Sequence, residues 1–164
     1  MMEQRHHHLP SHELVMSELM MPTNSNFSGN VHGGELLRRL DQVAYACASS
    51  YSGHYCVTLS VDKVLFKEPV HIGELVTFYA CVNYTGRTSM EIGIRVEAKN
   101  IRTGEVRHTN SCYFTMVAID NGKPVPVPPL EIKNERQRCR YEKAKQRRAA
   151  GLQNQNPCSE TPKA

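Results

Sequence analysis

An α+β fold, with one antiparallel sheet wrapped around a single long central helix, is predicted by three features of the sequence. Residues 34–50 carry apolar side chains at helical spacing around most of their circumference. Four strand patterns joined by short turns follow them. The other helical stretch, residues 131–148, is charged rather than apolar. A helix that is apolar on most sides needs a sheet around it, and strands joined by short turns pair antiparallel.

The elements follow in order. Residues 13–21, "ELVMSELMM", suit a first strand, although Met and Leu also suit a helix; Pro22 ends the run. A polar loop rich in Asn, Ser and Gly covers residues 23–32. In the helix from Gly34 to Ser50, Leu36, Leu40, Val43 and Cys47 form one row. Leu37, Asp41, Ala44 and Ala48 form a second, and Arg38, Gln42, Tyr45 and Ser49 a polar third. Asp41 therefore stands on an apolar row. Ser52-Gly53 closes the helix. Strands are expected at 55–66, 75–84, 89–100 and 106–119, separated by Pro69 with "HIGE", by "TGRT" and by "IRTGE". A Pro-rich exit leads to the charged helix. The expected organisation is a disordered segment 1–12, a domain 13–130, a basic helix 131–148 and a disordered tail 149–164. The exposed side of the sheet, at Cys81, Gly93 and Thr115, carries little charge, so oligomerisation through sheet or helix edges is expected.

Composition narrows the class. A chain of 164 residues with 40% hydrophobic content suits one domain plus a tail. No apolar run reaches membrane-spanning length, and the N-terminus lacks the apolar stretch of a secretory signal, so cytoplasm is the expected compartment. The six cysteines have no metal-motif or redox-motif spacing, and Cys47, Cys56, Cys81 and Cys112 read as small core residues. The histidines at 6–8 read as a polar terminus. Residues 133–148 hold eight Lys and Arg against two Glu, in a chain of net charge +4. That basic stretch suits nucleic acid, a phosphorylated ligand or plain solvation.

The run "SNFSGNVHGGELLRRLDQVAYACA", with "VTLSVDKVLFKEPVHIGELV", "VNYTGRTSMEIGIRVEA" and "CYFTMVAID" in order behind it, resembles the hot-dog fold acyl-coenzyme A thioesterases. The branch is the one that holds brain-type acyl-CoA hydrolase and its bacterial counterparts. The likeness spans about residues 13–130 and implies a single hot-dog domain that hydrolyses fatty acyl-CoA to free fatty acid and coenzyme A. It places the family's functional loop Asn on Asn26 and its catalytic helix carboxylate on Asp41. The turn that contacts coenzyme A falls on Gly86, Arg87, Thr88 and Ser89. It also implies that Asn and Asp of one site come from different subunits. The implied partners are the acyl-CoA and a homo-oligomer, a trimer of dimers. Coenzyme A is part of the substrate and product, and no metal, redox cofactor or serine nucleophile is implied.

The residues suit that chemistry. Free backbone N–H groups at a helix start point at developing negative charge, so Gly33 and Gly34 are candidates for the oxyanion site; their alternative is a tight turn into the helix. Asp41 could serve as general base or nucleophile, or could be a surface carboxylate paired with Arg38. Asn26 could orient water or donate to the thioester oxygen, or close an Asx-turn. His32 lines the site or serves the loop, and Asn30 could cap the helix. Arg87 suits a phosphate, with Arg138, Arg140 and Lys143 completing a coenzyme A pocket; a plain hairpin and a solvated helix are the alternatives. Purine nucleotides are candidate competitors or regulators there. Two other classes remain: a non-catalytic acyl-CoA or nucleotide sensor on the same fold, and a nucleic-acid binder acting through the basic tail. The latter lacks any recognised binding motif.

Overall fold

The computed structural model describes residues 11–153. In chain order it contains β1 (Glu13–Leu19), a 3-10 turn (Pro22–Asn24), α1 (Gly33–Ser52), β2 (Tyr55–Phe66), β3 (Leu75–Thr85), β4 (Ser89–Lys99), β5 (Val106–Asp120), the short β6 (Lys123–Pro124) and α2 (Glu135–Gln153). The sheet is antiparallel throughout in the order β1-β3-β4-β5-β2, with β6 on β5. It curls around α1 as expected. The chain divides into two compact units, one ending at Leu130 and one beginning at Glu131. No helix among the described residues is long and apolar enough to cross a membrane.

The helical rows behave differently at their two ends. Leu36, Leu40, Val43 and Cys47 are buried, as are Ala44 and Ala48. Leu37 is 40% exposed and Asp41 is exposed, so the second row is apolar core in its C-terminal half and open surface in its N-terminal half. Gly53 ends α1 in the left-handed region at φ 73°, which glycine adopts without a Cβ penalty, and its N–H donates to Ser49 O.

The inner sheet face supplies the other half of the core. Val76, Phe78, Ala80 and Val82 on β3, Ile92, Ile94 and Val96 on β4, and Cys112, Phe114 and Met116 on β5 are all buried. Each of the Val, Ile, Phe and Met side chains among them, fully buried, contributes about 1.5–3 kcal/mol. Two charged groups join this interior. Arg39, 5% exposed, holds Glu18 of β1 through both oxygens and also grips Glu35. Arg39 first and Arg38 second keep the Glu35 carboxyl below its ordinary range. Arg107 Nη2 donates to both oxygens of buried Glu74, at 2.7 and 2.8 Å.

The structure departs from the sequence expectation at several points. Ser11 and His12 are not a disordered tail: the His12 carbonyl accepts from Val82 N at 2.8 Å. The charged helix starts at Glu135 and runs to Gln153, so residues 149–153 are helical; residues 1–10 and 154–164, with the histidine triplet, lie outside the described residues. On the outer sheet face Cys81 is buried and Gly93 and Thr115 are half-buried, so these positions are not open surface. Gly93 sits there because a Cβ would collide with Asn83 Nδ2, which donates to Glu91. Most of the exposed large apolar side chains lie on the two edge strands: Tyr55, Leu59, Val61, Leu65 and Phe66 on β2, and Val15, Met16 and Leu19 on β1.

Candidate active site

Asp41 projects from α1 toward β2, where Thr58 Oγ1 donates to its Oδ1 at 2.6 Å. The ion pair with Arg38 does not form; Arg38 pairs with Glu35 at 3.1 Å instead. Thr58 faces inward on β2, opposite Met116 of β5, and a register shift between Thr58 and Ser60 follows it. Such a bulge re-aims side chains next to it. Leu37, one turn before Asp41 on α1, and Val61 and Phe66 on edge strand β2 are all substantially exposed. The carboxylate is itself exposed, with open apolar side chains on its own helix and on the strand that holds it. Thr58 was not marked in the sequence. Alternation along β2 does not mark it, because the positions in step with Cys56 are Thr58, Ser60 and Asp62.

The Gly86–Ser89 turn lies at the same end of the sheet. Ser89 pairs with Val117 and Met90 with Met116, and Met116 is the register partner of Thr58. Gly86 N donates to Ser89 O at 2.7 Å, so this N–H closes the hairpin rather than standing open. The Arg87 and Thr88 carbonyls accept from Val127 and Ala118, which pins the turn, while the Arg87 side chain is exposed. Ser89 is buried. On α2, Arg140 and Lys143 are three residues apart and share a side. Arg138 lies two residues from Arg140 on another side and pairs with Glu135 at 3.6 Å. One helix face thus cannot present all three cations.

The N-terminal end of α1 is built differently. His32 is its N-cap, with Nδ1 accepting from Gly34 N at 3.0 Å, and Glu35 N donates to the His32 carbonyl. The cap role belongs to His32 and not to Asn30. It also occupies the Gly34 N–H, which leaves Gly33 N as the helix-start donor without a partner among the described residues. A Cβ on Gly34 would stand 3.2 Å from His32 Nδ1, so glycine there makes room for the cap. Asn26 does close an Asx-turn: its Oδ1 accepts from Ser28 N at 2.8 Å and Asn30 N at 3.1 Å. Two N–H donors on that atom fix it as the carbonyl oxygen. The amide Nδ2 then points away from the turn, with no partner among the described residues.

No hydrogen bond joins Asn26 to Asp41 among the described residues. Gly33 and Asp41 are eight helical residues apart, about 12 Å along the axis, and Asn26 lies beyond Gly33 in the loop. Cys47 and Cys112 offer no substitute nucleophile. Burial, with Cys81 and Glu13 adding to it, pushes the Cys47 thiol up to about 12, and burial does the same at Cys112. Among the described residues, His12, Glu13 and Cys81 have ligand atoms within 4.8 Å of one another at the β1–β3 pairing. His12 and Glu13 already pair at 3.6 Å.

Comparison with known proteins agrees with this architecture. Residues 28–105 match the thioesterase superfamily model. Protein VdlD of Helicobacter pylori is 54% identical over 136 residues, 83% of this chain and 78% of VdlD. The acyl-CoA thioester hydrolase YkhA of Bacillus subtilis is 31% identical over 82% of this chain and 79% of its own length. Among solved structures, an apo-hexameric acyl-CoA thioesterase superposes with TM-score 0.86 at 34% identity, covering 90% of this chain and 96% of that one. The Staphylococcus aureus acyl-CoA hydrolase, in complex with butyryl coenzyme A, coenzyme A and its disulfide, superposes with TM-score 0.79 at 26% identity over 89% and 92%. Alanine variants of that hydrolase at an aspartate and at an asparagine fifteen residues before it have also been solved. The chain therefore belongs to the thioesterase superfamily, as a hot-dog enzyme of the acyl-CoA thioester hydrolase kind.

Proposed function

We propose that the chain hydrolyses fatty acyl-CoA at a site completed by a second copy of itself, with Asp41 as the reacting carboxylate. The observation that carries this reading is the Asp41–Thr58 pair, between α1 and an edge strand whose apolar side chains are left exposed. Asn26 and Asp41 are fifteen residues apart, the separation of the two positions replaced in the Staphylococcus aureus hydrolase. The family resemblance implies that the Asn and Asp of one site come from different subunits, so the amide that meets the thioester oxygen comes from the second copy. A dimer across β2 is the minimal unit. A trimer of dimers is the full assembly, in keeping with the hexameric relative.

In this reading the thioester carbonyl lies between Asn26 Nδ2 and Gly33 N–H, which receive the developing oxyanion. Asp41 takes a proton from water as the water oxygen attacks the carbonyl carbon, or attacks that carbon itself to give a mixed anhydride that water then opens. Thr58 holds the carboxylate in line. The C–S bond breaks on collapse and the coenzyme A thiolate takes up the proton. Arg87 holds a coenzyme A phosphate; purine nucleotides would compete there. No resident cofactor is needed, and the cytoplasm is where acyl-CoA and its product would be met. The test is thiol release from an acyl-CoA chain-length series, in the presence of a chelator. Turnover at one or more lengths is expected. No thiol release at any length, with the coenzyme A ester bound, would make the protein a sensor instead.

A further inference from the structure

From Asn26 to Gly29 the loop has no hydrophobic anchor; the nearest is Val31, which is buried in the core and donates its N–H to Val70 O at 2.8 Å. Phe27, Ser28 and Gly29 are all exposed, and Phe27 is fully so. Ordering each such residue costs about 1–2 kcal/mol, so polar contacts must hold it. Within the loop, Asn26 N donates to Asn30 O at 2.7 Å, and Asn30 N is one of the two donors on Asn26 Oδ1. The direction of the Asn26 amide thus follows the position of Asn30. Asn30 in turn is held from across the fold. Its backbone bridges to His71, and its Oδ1 is 2.9 Å from His71 Nδ1. With a carbonyl oxygen on one side of that bond, His71 Nδ1 carries the proton. His71 N donates to Glu74 Oε2 at 2.8 Å, and the Glu74 carboxylate is the buried one gripped by Arg107 of β5.

We infer that His71 and Asn30 are positioning residues, through which the Arg107–Glu74 ion pair of the sheet fixes the amide of Asn26 for the reaction. This rests on the role given to Asn26 above. A polar chain of this kind matters most where the segment it holds has little packing. His71 touches no reacting atom; its effect passes through Asn30 and the turn.

The test uses the full-length protein with a short-chain acyl-CoA. His71→Phe keeps a ring and removes the donor, whereas His71→Asn keeps an N–H near the place of Nδ1. His71→Phe is expected to lower kcat about tenfold, the effect of one hydrogen bond worth about 1.4 kcal/mol, with KM within about twofold. His71→Asn is expected to recover most of the loss. Hydrogen exchange at residues 26–30 should quicken in His71→Phe and not in His71→Asn, a readout independent of turnover. Where Asn26→Ala retains measurable turnover, adding His71→Phe to it should change kcat no further. Wild-type kcat and exchange in His71→Phe, with Asn26→Ala impaired, would overturn this inference alone. An equal loss in both His71 variants would reduce His71 to a structural residue. Wild-type activity in Asn26→Ala would remove the role of Asn26 and with it anything for His71 to position.

Discussion

Asp41 and Asn26 are fixed by opposite means. Asp41 stands on a twenty-residue helix packed against a twelve-residue strand, and one hydrogen bond from Thr58 is enough to orient it. Asn26 stands in a surface loop, and two bonds on its own oxygen, a backbone pair to Asn30 and the outer clamp to His71 hold it. Regular structure supplies position through its backbone ladder, so the side chain needs only its last torsion set. A loop has no such ladder and must close its geometry side chain by side chain. The consequence is that changes near Asp41 act on chemistry directly, while changes near Asn26 spread through a network.

Asp41→Asn tests the first half of that contrast and carries the largest effect. The amide can neither take a proton from water nor attack a carbonyl, so kcat should fall roughly 10²–10⁴-fold with the melting temperature held; wild-type turnover would remove Asp41 from the reaction. Asn26→Ala should cost less, roughly 10- to 100-fold, because Gly33 N–H remains at the oxyanion. Mixing the two variants under conditions of proven subunit exchange should restore part of the activity, since some sites then hold both residues intact; no recovery would mean that both serve one site from one chain.

Thr58→Val keeps the shape of the side chain and removes the single bond on Asp41. We expect about a tenfold loss in kcat, and an unchanged rate would show that the helix alone suffices to aim the carboxylate. Arg87→Ala should appear in KM rather than kcat, about tenfold, because a phosphate contact binds substrate and transition state alike. Collapsed kcat at normal KM would move Arg87 into the reaction.

The smallest effect concerns stability. Asn110 is a buried inward residue of β5 opposite Phe66, and neither of its side-chain polar atoms has a partner among the described residues. Asn110→Leu is close in size and removes an unpaired amide whose burial costs about 1–3 kcal/mol. A rise in melting temperature is expected, by differential scanning calorimetry. A fall would mean that the amide is hydrogen-bonded in solution.

Periodicity by itself determined the elements. The 3.6-residue rows of α1 and the alternation in β3, β4 and β5 depend on local geometry that every residue reports, so strand bounds agree within a residue or two. The resemblance drawn from "NVHGG" and "TGRTS" carried the family, since those runs keep their order and spacing. Asp41 was legible as a carboxylate on an apolar row. What it touches was not, because Thr58 is seventeen residues away on a strand whose bulge no alternation pattern reveals. The same holds for His32, whose ring takes the Gly34 N–H that the Gly-Gly pair had suggested was free. It holds for Arg39, buried between Glu18 and Glu35 although it sits in a run of two arginines. Asn30 and His71 are separated by forty-one residues and meet only because β3 begins beside the loop. Local spacing fixes which residues form a helix or strand. Which polar groups meet depends on register, bulges and chain crossing, and those exist only once the sheet has closed around α1.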